Sequence, residues 1–106
     1  MPAFPTPAPR AVRVSYAGLI RHLVPVADET LSLPDGSTVR DLLVAIADRH
    51  GHDVREMLFV GSQQLVPNAI VLLDGTDITH LRGLDTVIDV AGVTQVLVMN
   101  PATGGG

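Results

Sequence analysis

Apolar and polar residues alternate in two stretches near the start of the chain. Val12, Val14 and Tyr16 fall on one side and Arg13 and Ser15 on the other, the two-residue period of a half-buried strand. Glu29 to Leu33 alternates again with Leu31 and Leu33 inward, then runs into Pro34-Asp35-Gly36, where a fixed φ and a permissive glycine favour a turn. Between them, Ala17 to Val24 carries Leu19, Ile20, Leu23 and Val24 ahead of Pro25 and fits a loop or a single helical turn equally well. The period then changes. Val39, Leu42, Leu43, Ile46 and Ala47 recur at the spacing of one helix face, while Arg40, Asp48 and Arg49 fall elsewhere. Thr38 is placed to cap this helix, Asp41 makes a capping box with a shorter acid than usual, and Gly51 is placed to end it.

Further on, the pattern predicts a short helix over Val54 to Phe59 and an irregular stretch through Pro67. The apolar run Ala69-Ile70-Val71-Leu72-Leu73 predicts a central strand closed by a tight turn at Asp74-Gly75, followed by a short edge strand near Thr76 to Ile78. His80 to Val87 reads as loop or 3₁₀ turn, and Thr94 to Met99 is a last β-rich run. Strand, strand, helix, strand, short strand, loop and strand make an α+β chain, a mixed sheet packed on one main helix. Residues 1–9 hold Pro2, Pro5, Pro7 and Pro9, each lacking a backbone donor, and read as a flexible N-terminal tail ahead of a domain over residues 10–100.

Composition narrows the chemistry. A chain of 106 residues, 46% hydrophobic and 17% charged, is expected to fold as one domain. Its apolar runs are too short to span a bilayer and its start lacks the basic-then-apolar order of a signal peptide, so a cytoplasmic protein without a membrane partner is expected. The net charge of −4 and the scattering of all seven arginines argue against nucleic acid. With no cysteine, thiolate metal sites and thiol catalysis are excluded; with no lysine, so are Schiff bases and isopeptide chains built on this protein's own side chains. His50 and His52 form an H-x-H beside Asp53, but His50 is expected to interact with the negative helix end and His52 with solvent, so no metal site is assigned. His22 and His80 stand alone, and Asp74 with Asp77, or Asp85 with Asp89, read as turn residues rather than an acid–base couple.

The order of elements and the C-terminus resemble the ubiquitin-like, β-grasp sulfur-carrier family, which includes the small subunit of molybdopterin synthase and the thiamine sulfur carrier. The residues that carry the resemblance are Val12 to Leu19 as opening strand and turn, Leu33 to Leu43 as strand, turn and helix, Val71 to Gly75 as the third strand, and the closing glycines. It covers the chain from about Arg10 to the end. Two departures stand out: Pro101-Ala102-Thr103-Gly104-Gly105 already completes the family's tail, leaving Gly106 as an extra residue, and Asp89 to Thr94 differs from the relatives' compact acidic-glycine turn.

The resemblance implies a β-grasp fold and a reactive C-terminal carboxylate on Gly106 or Gly105, in a flexible tail over residues 101–106. A ubiquitin-activating-type enzyme would adenylate it with ATP, and a sulfur donor such as a cysteine desulfurase or rhodanese would convert it to a thiocarboxylate. A synthase large subunit is a further partner. The chain would be a protein co-substrate rather than an enzyme, with no stably bound cofactor. Glycine suits the role independently of any family, because residues without Cβ can thread a narrow channel that encloses the reacting end. If Val96 and Val98 face inward, as the resemblance suggests, Leu97 and Met99 form an outer apolar patch that, with Pro101, Thr103 and Gly104, would contact the partner; a slip of one residue would reverse that parity. Two alternatives remain at this level: a ubiquitin-like modifier joined to lysines of other proteins, and an interaction module whose glycines are inert.

Overall fold

The computed structural model describes residues 10–34, 36–61, 64–88 and 94–100. Its elements in chain order are β1 (Arg10–Gly18), β2 (Asp28–Leu33), α1 (Val39–His50), α2 (His52–Leu58), β3 (Phe59–Val60), β4 (Gln64–Leu65), β5 (Ile70–Leu73), β6 (Thr76–Asp77) and β7 (Thr94–Asn100). Short 3₁₀ turns occupy Leu19–His22, Ile78–His80 and Gly83–Asp85. Five strands form one mixed sheet in the order β2-β1-β7-β5-β6, and β3 pairs with β4 in a small separate ribbon.

The last strand lies in the middle of that sheet. It runs parallel to β1, from Val12 opposite Thr94 to Gly18 opposite Asn100, and antiparallel to β5 on its other side. One sheet face is apolar and closed: Val12, Val14, Leu31, Leu33, Val71, Val96 and Val98 are buried there. They share a core with Val39, Leu42, Leu43, Ile46 and Ala47, the stripe that the helical spacing marks out. Val54 and Leu58 of α2, with Ile20, Ile78 and Ile88 from the connections, complete it.

The start of α1 is fixed locally. The Asp41 amide donates to Thr38 Oγ1 at 3.3 Å and the Thr38 amide donates to Asp41 Oδ2 at 2.9 Å, so even the shorter acid closes the capping box. At the other end Gly51, with φ 106°, breaks the helix and α2 begins at once. The turn between β5 and β6 places Asp74 and Gly75 at φ 49° and 88°, the positive values that a two-residue hairpin of right-handed strands requires.

Three expectations need correction. The apolar run before Asp74 is not the central strand but lies one place in from the sheet edge, and only Val71 of β5 is buried. A continuous apolar run therefore does not signal burial on both faces here; Ile70 and Leu72 point to the opposite face from the helices. The second helix starts at His52 and stops at Leu58, with Phe59 passing into β3, whose pairing with β4 replaces part of the expected irregular stretch. The proline-rich residues 1–9, Asp35 of the predicted turn, the segment 89–93 and residues 101–106 lie outside the described residues.

Replacing Thr38 by alanine removes the cap acceptor and is expected to cost about 1 kcal/mol. Thermal unfolding should fall by about 5 °C, whereas Thr38→Ser, which keeps the hydroxyl, should stay close to wild type.

Candidate functional site

The site is built around the end of β7. Because that strand pairs on both sides, its alternation is fixed by two ladders: Val96 and Val98 are buried under α1, and Leu97 and Met99 face the other way. On that outer face Leu97 sits between Ser15 and Leu72, and Met99 between Ala17 and Ile70. All six are partly exposed. The result is an apolar band across three strands, rimmed by Arg13 and Gln95, which are exposed. Beside Leu97 a shallow groove of about 280 Å³ is lined by Ser15, Leu72, Gly75 and Gln95. An apolar centre with a polar rim is the anatomy of a protein contact.

Two features hold this face in register. Asp74 donates its amide to the Gln95 carbonyl at 2.8 Å and accepts from the Gln95 amide through Oδ1 at 2.9 Å, tying the β5–β6 corner to β7. At the far end Asn100 is buried and its Nδ2 donates to the Met57 carbonyl at 3.2 Å, which fastens the last strand to α2. Leu97 and Met99 thus stand directly before the point where the chain passes to Pro101, Thr103, Gly104, Gly105 and Gly106, which lie outside the described residues.

A polar cluster that the sequence reading did not single out closes the opposite side of the helix. Glu29 is in phase with Leu31 and Leu33 and so points inward, where its side chain is only 10% exposed. Its Oε2 accepts from the Tyr16 hydroxyl and from His50 Nε2, both at 2.5 Å, and its Oε1 accepts from Arg49 Nε at 2.7 Å. The Tyr16 and His50 rings meet edge to face with centroids 6.0 Å apart. His50 therefore serves a buried carboxylate rather than the end of its own helix, which corrects the expectation for it. His52 points to solvent and pairs with Glu56 at 2.7 Å, so the two histidines of the H-x-H do not converge. The signal available beforehand was a charged residue at an inward position of an alternating strand, opposite a tyrosine hydroxyl in need of a partner. Among the described residues, no three His, Cys, Asp or Glu side chains gather to hold a metal ion. His22 and His80 are exposed, Asp77 accepts from the Thr79 amide at 2.9 Å, and Asp85 pairs with Arg40, all turn or surface roles.

Burial alone would raise the Glu29 carboxyl, but the bonds from Tyr16 and His50, with the charges of His50 and Arg49, outweigh it and hold it below its ordinary value. Burial first, then the bond to Glu29 and its charge, push the Tyr16 hydroxyl far above the usual phenol range, so it remains a donor. Glu29 titrates lower in the folded chain than in the unfolded one. Its contribution is therefore whole above the unfolded value near 4.5 and is lost as pH falls through the lowered folded value. Glu29→Gln is expected to cost about 2 kcal/mol at neutral pH and to flatten the fall in stability on the acid side, as read from denaturant unfolding at a series of pH values.

Neither a protein-family model nor a curated protein sequence matches the chain. Solved structures do match. The HVO 2177 protein of Haloferax volcanii superposes with a TM-score of 0.75 at 22% identity, over 92% of this chain and 89% of that one. Small archaeal modifier protein 1 from Methanosarcina acetivorans gives 0.73 at 21% identity, over 92% and 98%. A Pyrococcus furiosus protein provisionally assigned as subunit 1 of the molybdopterin converting factor gives 0.69 at 26% identity, over 88% and 99%. No helix among the described residues is long and apolar enough to cross a membrane. With a mixed sheet wrapped on a main helix, its first and last strands parallel at the centre, and near-complete overlap with these small proteins, the chain has the ubiquitin-like β-grasp fold and resembles the sulfur carriers and modifiers built on it.

Proposed function

We propose that this protein is a sulfur carrier of cofactor biosynthesis, with a molybdopterin precursor as the acceptor of its sulfur. The observation that carries the reading is the place of the last described strand: it is central in the sheet and ends at Asn100 on the border of a half-buried apolar face, and the glycines follow it closely in sequence. The likeness to the Pyrococcus furiosus protein supports it over nearly the full length of both chains. In this reading residues 10–100 are the handle and residues 101–106 the reactive end, and the chain is a co-substrate of cytoplasmic enzymes rather than a catalyst.

The chemistry follows from the carboxylate. An oxygen of the terminal glycine attacks the α-phosphorus of ATP on a ubiquitin-activating-type partner, the bond to pyrophosphate breaks, and the acyl-adenylate forms. The terminal sulfur of a persulfide on a cysteine desulfurase or rhodanese then displaces AMP, because adenylate is a far better leaving group than oxide. A second thiol attacks the resulting acyl disulfide, forming a disulfide with the donor and releasing the thiocarboxylate. The chain contains no cysteine, so this sulfur has to come from outside it. Gly104, Gly105 and Gly106 have no side chains to obstruct the enclosure, and Leu97 and Met99, with Pro101 and Thr103, are the proposed contacts of the partner.

A second reading is favoured by the likeness to small archaeal modifier protein 1: the same adenylate can pass to lysines of other proteins. Intact mass spectrometry of the protein from its native cells separates the two. A terminal carboxylate with sulfur in place of one oxygen is expected, on Gly105 or Gly106; glycine remnants on lysines of other proteins with an unmodified terminus would favour the modifier. Leu97→Arg is expected to weaken docking to the adenylating partner by at least about 10-fold, as truncation of a central contact does, with little change in thermal stability because Leu97 lies outside the core. A fall in melting temperature of many degrees would sink that assignment.

A further inference from the structure

Asn100, the last residue of β7, is only 2% exposed. Its Nδ2 donates to the Met57 carbonyl, in the last turn of α2, where a helix leaves oxygens without intrahelical donors. Its Oδ1 is buried and has no hydrogen-bond partner among the described residues. A half-satisfied amide shut away from water disfavours the fold relative to an apolar residue of similar shape, so packing alone does not account for asparagine here. The main chain of Asn100 is held just as closely on its other side. Gly18 takes φ 73° and ψ −147°, and a Cβ there would stand 2.2 Å from the Asn100 carbonyl oxygen and 2.7 Å from its carbon. Gly18 and Asn100 are the final register pair of β1 and β7, and Pro101 has no N–H with which to continue the ladder.

We propose that the Gly18–Asn100 crossing and the Asn100 amide form a register stop that fixes which residue is last in the sheet, and thereby the reach of the reactive end. The inference rests on the reading that an adenylating partner activates the C-terminal carboxylate. An extended chain covers about 3.3–3.6 Å per residue, so the six residues after Asn100 span at most about 22 Å. Sliding β7 by two positions, the smallest step that keeps Val96 and Val98 inward, changes that reach by two residue steps. A partner docked on the Leu97 and Met99 face encloses the carboxylate at a set distance from the dock, and a misplacement of about 1 Å can lower a rate about 100-fold. Asn100 touches no reacting atom; it is a positioning residue, and Gly18 is the surface it is pressed against.

ATP–pyrophosphate exchange by the purified ubiquitin-activating-type enzyme of the source organism, with the full chain as co-substrate, tests the stop when thermal unfolding is followed in parallel. Asn100→Leu is expected to unfold near the wild-type temperature and to lower kcat about 10- to 100-fold while KM for the chain changes less than about 3-fold, because the docking face is untouched. Gly18→Ala sets a Cβ against the Asn100 carbonyl at a strained φ of 73°, so it is expected to displace the end of β7 and lower kcat in the same direction, with a loss of thermal stability. Wild-type kcat in Asn100→Leu overturns the proposal. So does a loss confined to KM, or a collapse of stability, since either would make Asn100 a dock contact or a plain helix cap. If the wild-type chain supports no exchange, the carrier reading fails and the stop falls with it; exchange by wild type with unchanged variants defeats the stop alone.

Discussion

The parallel pairing of β1 with β7 is the constraint on which the rest of the fold depends. Those two strands are nearly the whole chain apart in sequence, yet each is the other's neighbour at the centre of the sheet. Between them the chain leaves the sheet after β2 and returns to it at β5. Because parallel neighbours cannot be joined by a tight hairpin, the intervening chain has room for α1 and α2, which close the apolar face. The same pairing sets two alternations at once. Val14 and Val98 can be buried only if Ser15 and Leu97 face outward, so the composition of the outer face follows from the demands of the core.

The edge of the sheet has a different logic. β2 pairs on one side only, and its inward row passes from Leu33 and Leu31 to the carboxylate of Glu29. A lone charge in that position would be costly to desolvate. Tyr16 from the neighbouring strand and Arg49 and His50 from the end of α1 supply three donors, so the edge strand is joined to the helix by directed bonds where apolar contact ends. Helix and sheet are thereby fixed to each other at the end opposite the capping box, and α1 is held at both termini.

The β1–β7 pairing also fixes the end of the last described strand. A central strand with ladders on both sides is difficult to shift, and Asn100 and Gly18 add a side-chain bond and a steric barrier where the ladders stop. The apolar band of Ile70, Leu72, Leu97 and Met99 is held at a constant place relative to Asn100, the end of β7. The proposed carrier role, with chemistry in the last residues and recognition in the body, calls for that fixed relation, since one partner would read both together.

Much of this was legible in the residues alone. The helical stripe from Val39 to Ala47, the Thr38 and Asp41 cap, the alternation of β1 and β2 and the Asp74-Gly75 turn are local patterns, and local sterics and hydrogen bonding specify them without reference to the rest of the chain. The fold class followed from their order, and the closing glycines pointed to the chemistry proposed. What local pattern leaves open is which strands are neighbours. The run at Ile70 to Leu73 looks equally apolar whether it lies centrally or near an edge, and only pairing with β7 shows that half of it faces outward. Glu29, Tyr16 and His50 are far apart in sequence and become one cluster only when β1, β2 and the end of α1 converge. Gly18 looks like any turn glycine until the main chain of Asn100 is laid against it. Sequence by itself determined the elements and the kind of fold; tertiary structure decided the register, the buried polar contacts and the exit of the chain, because those depend on pairings between residues that no local pattern connects.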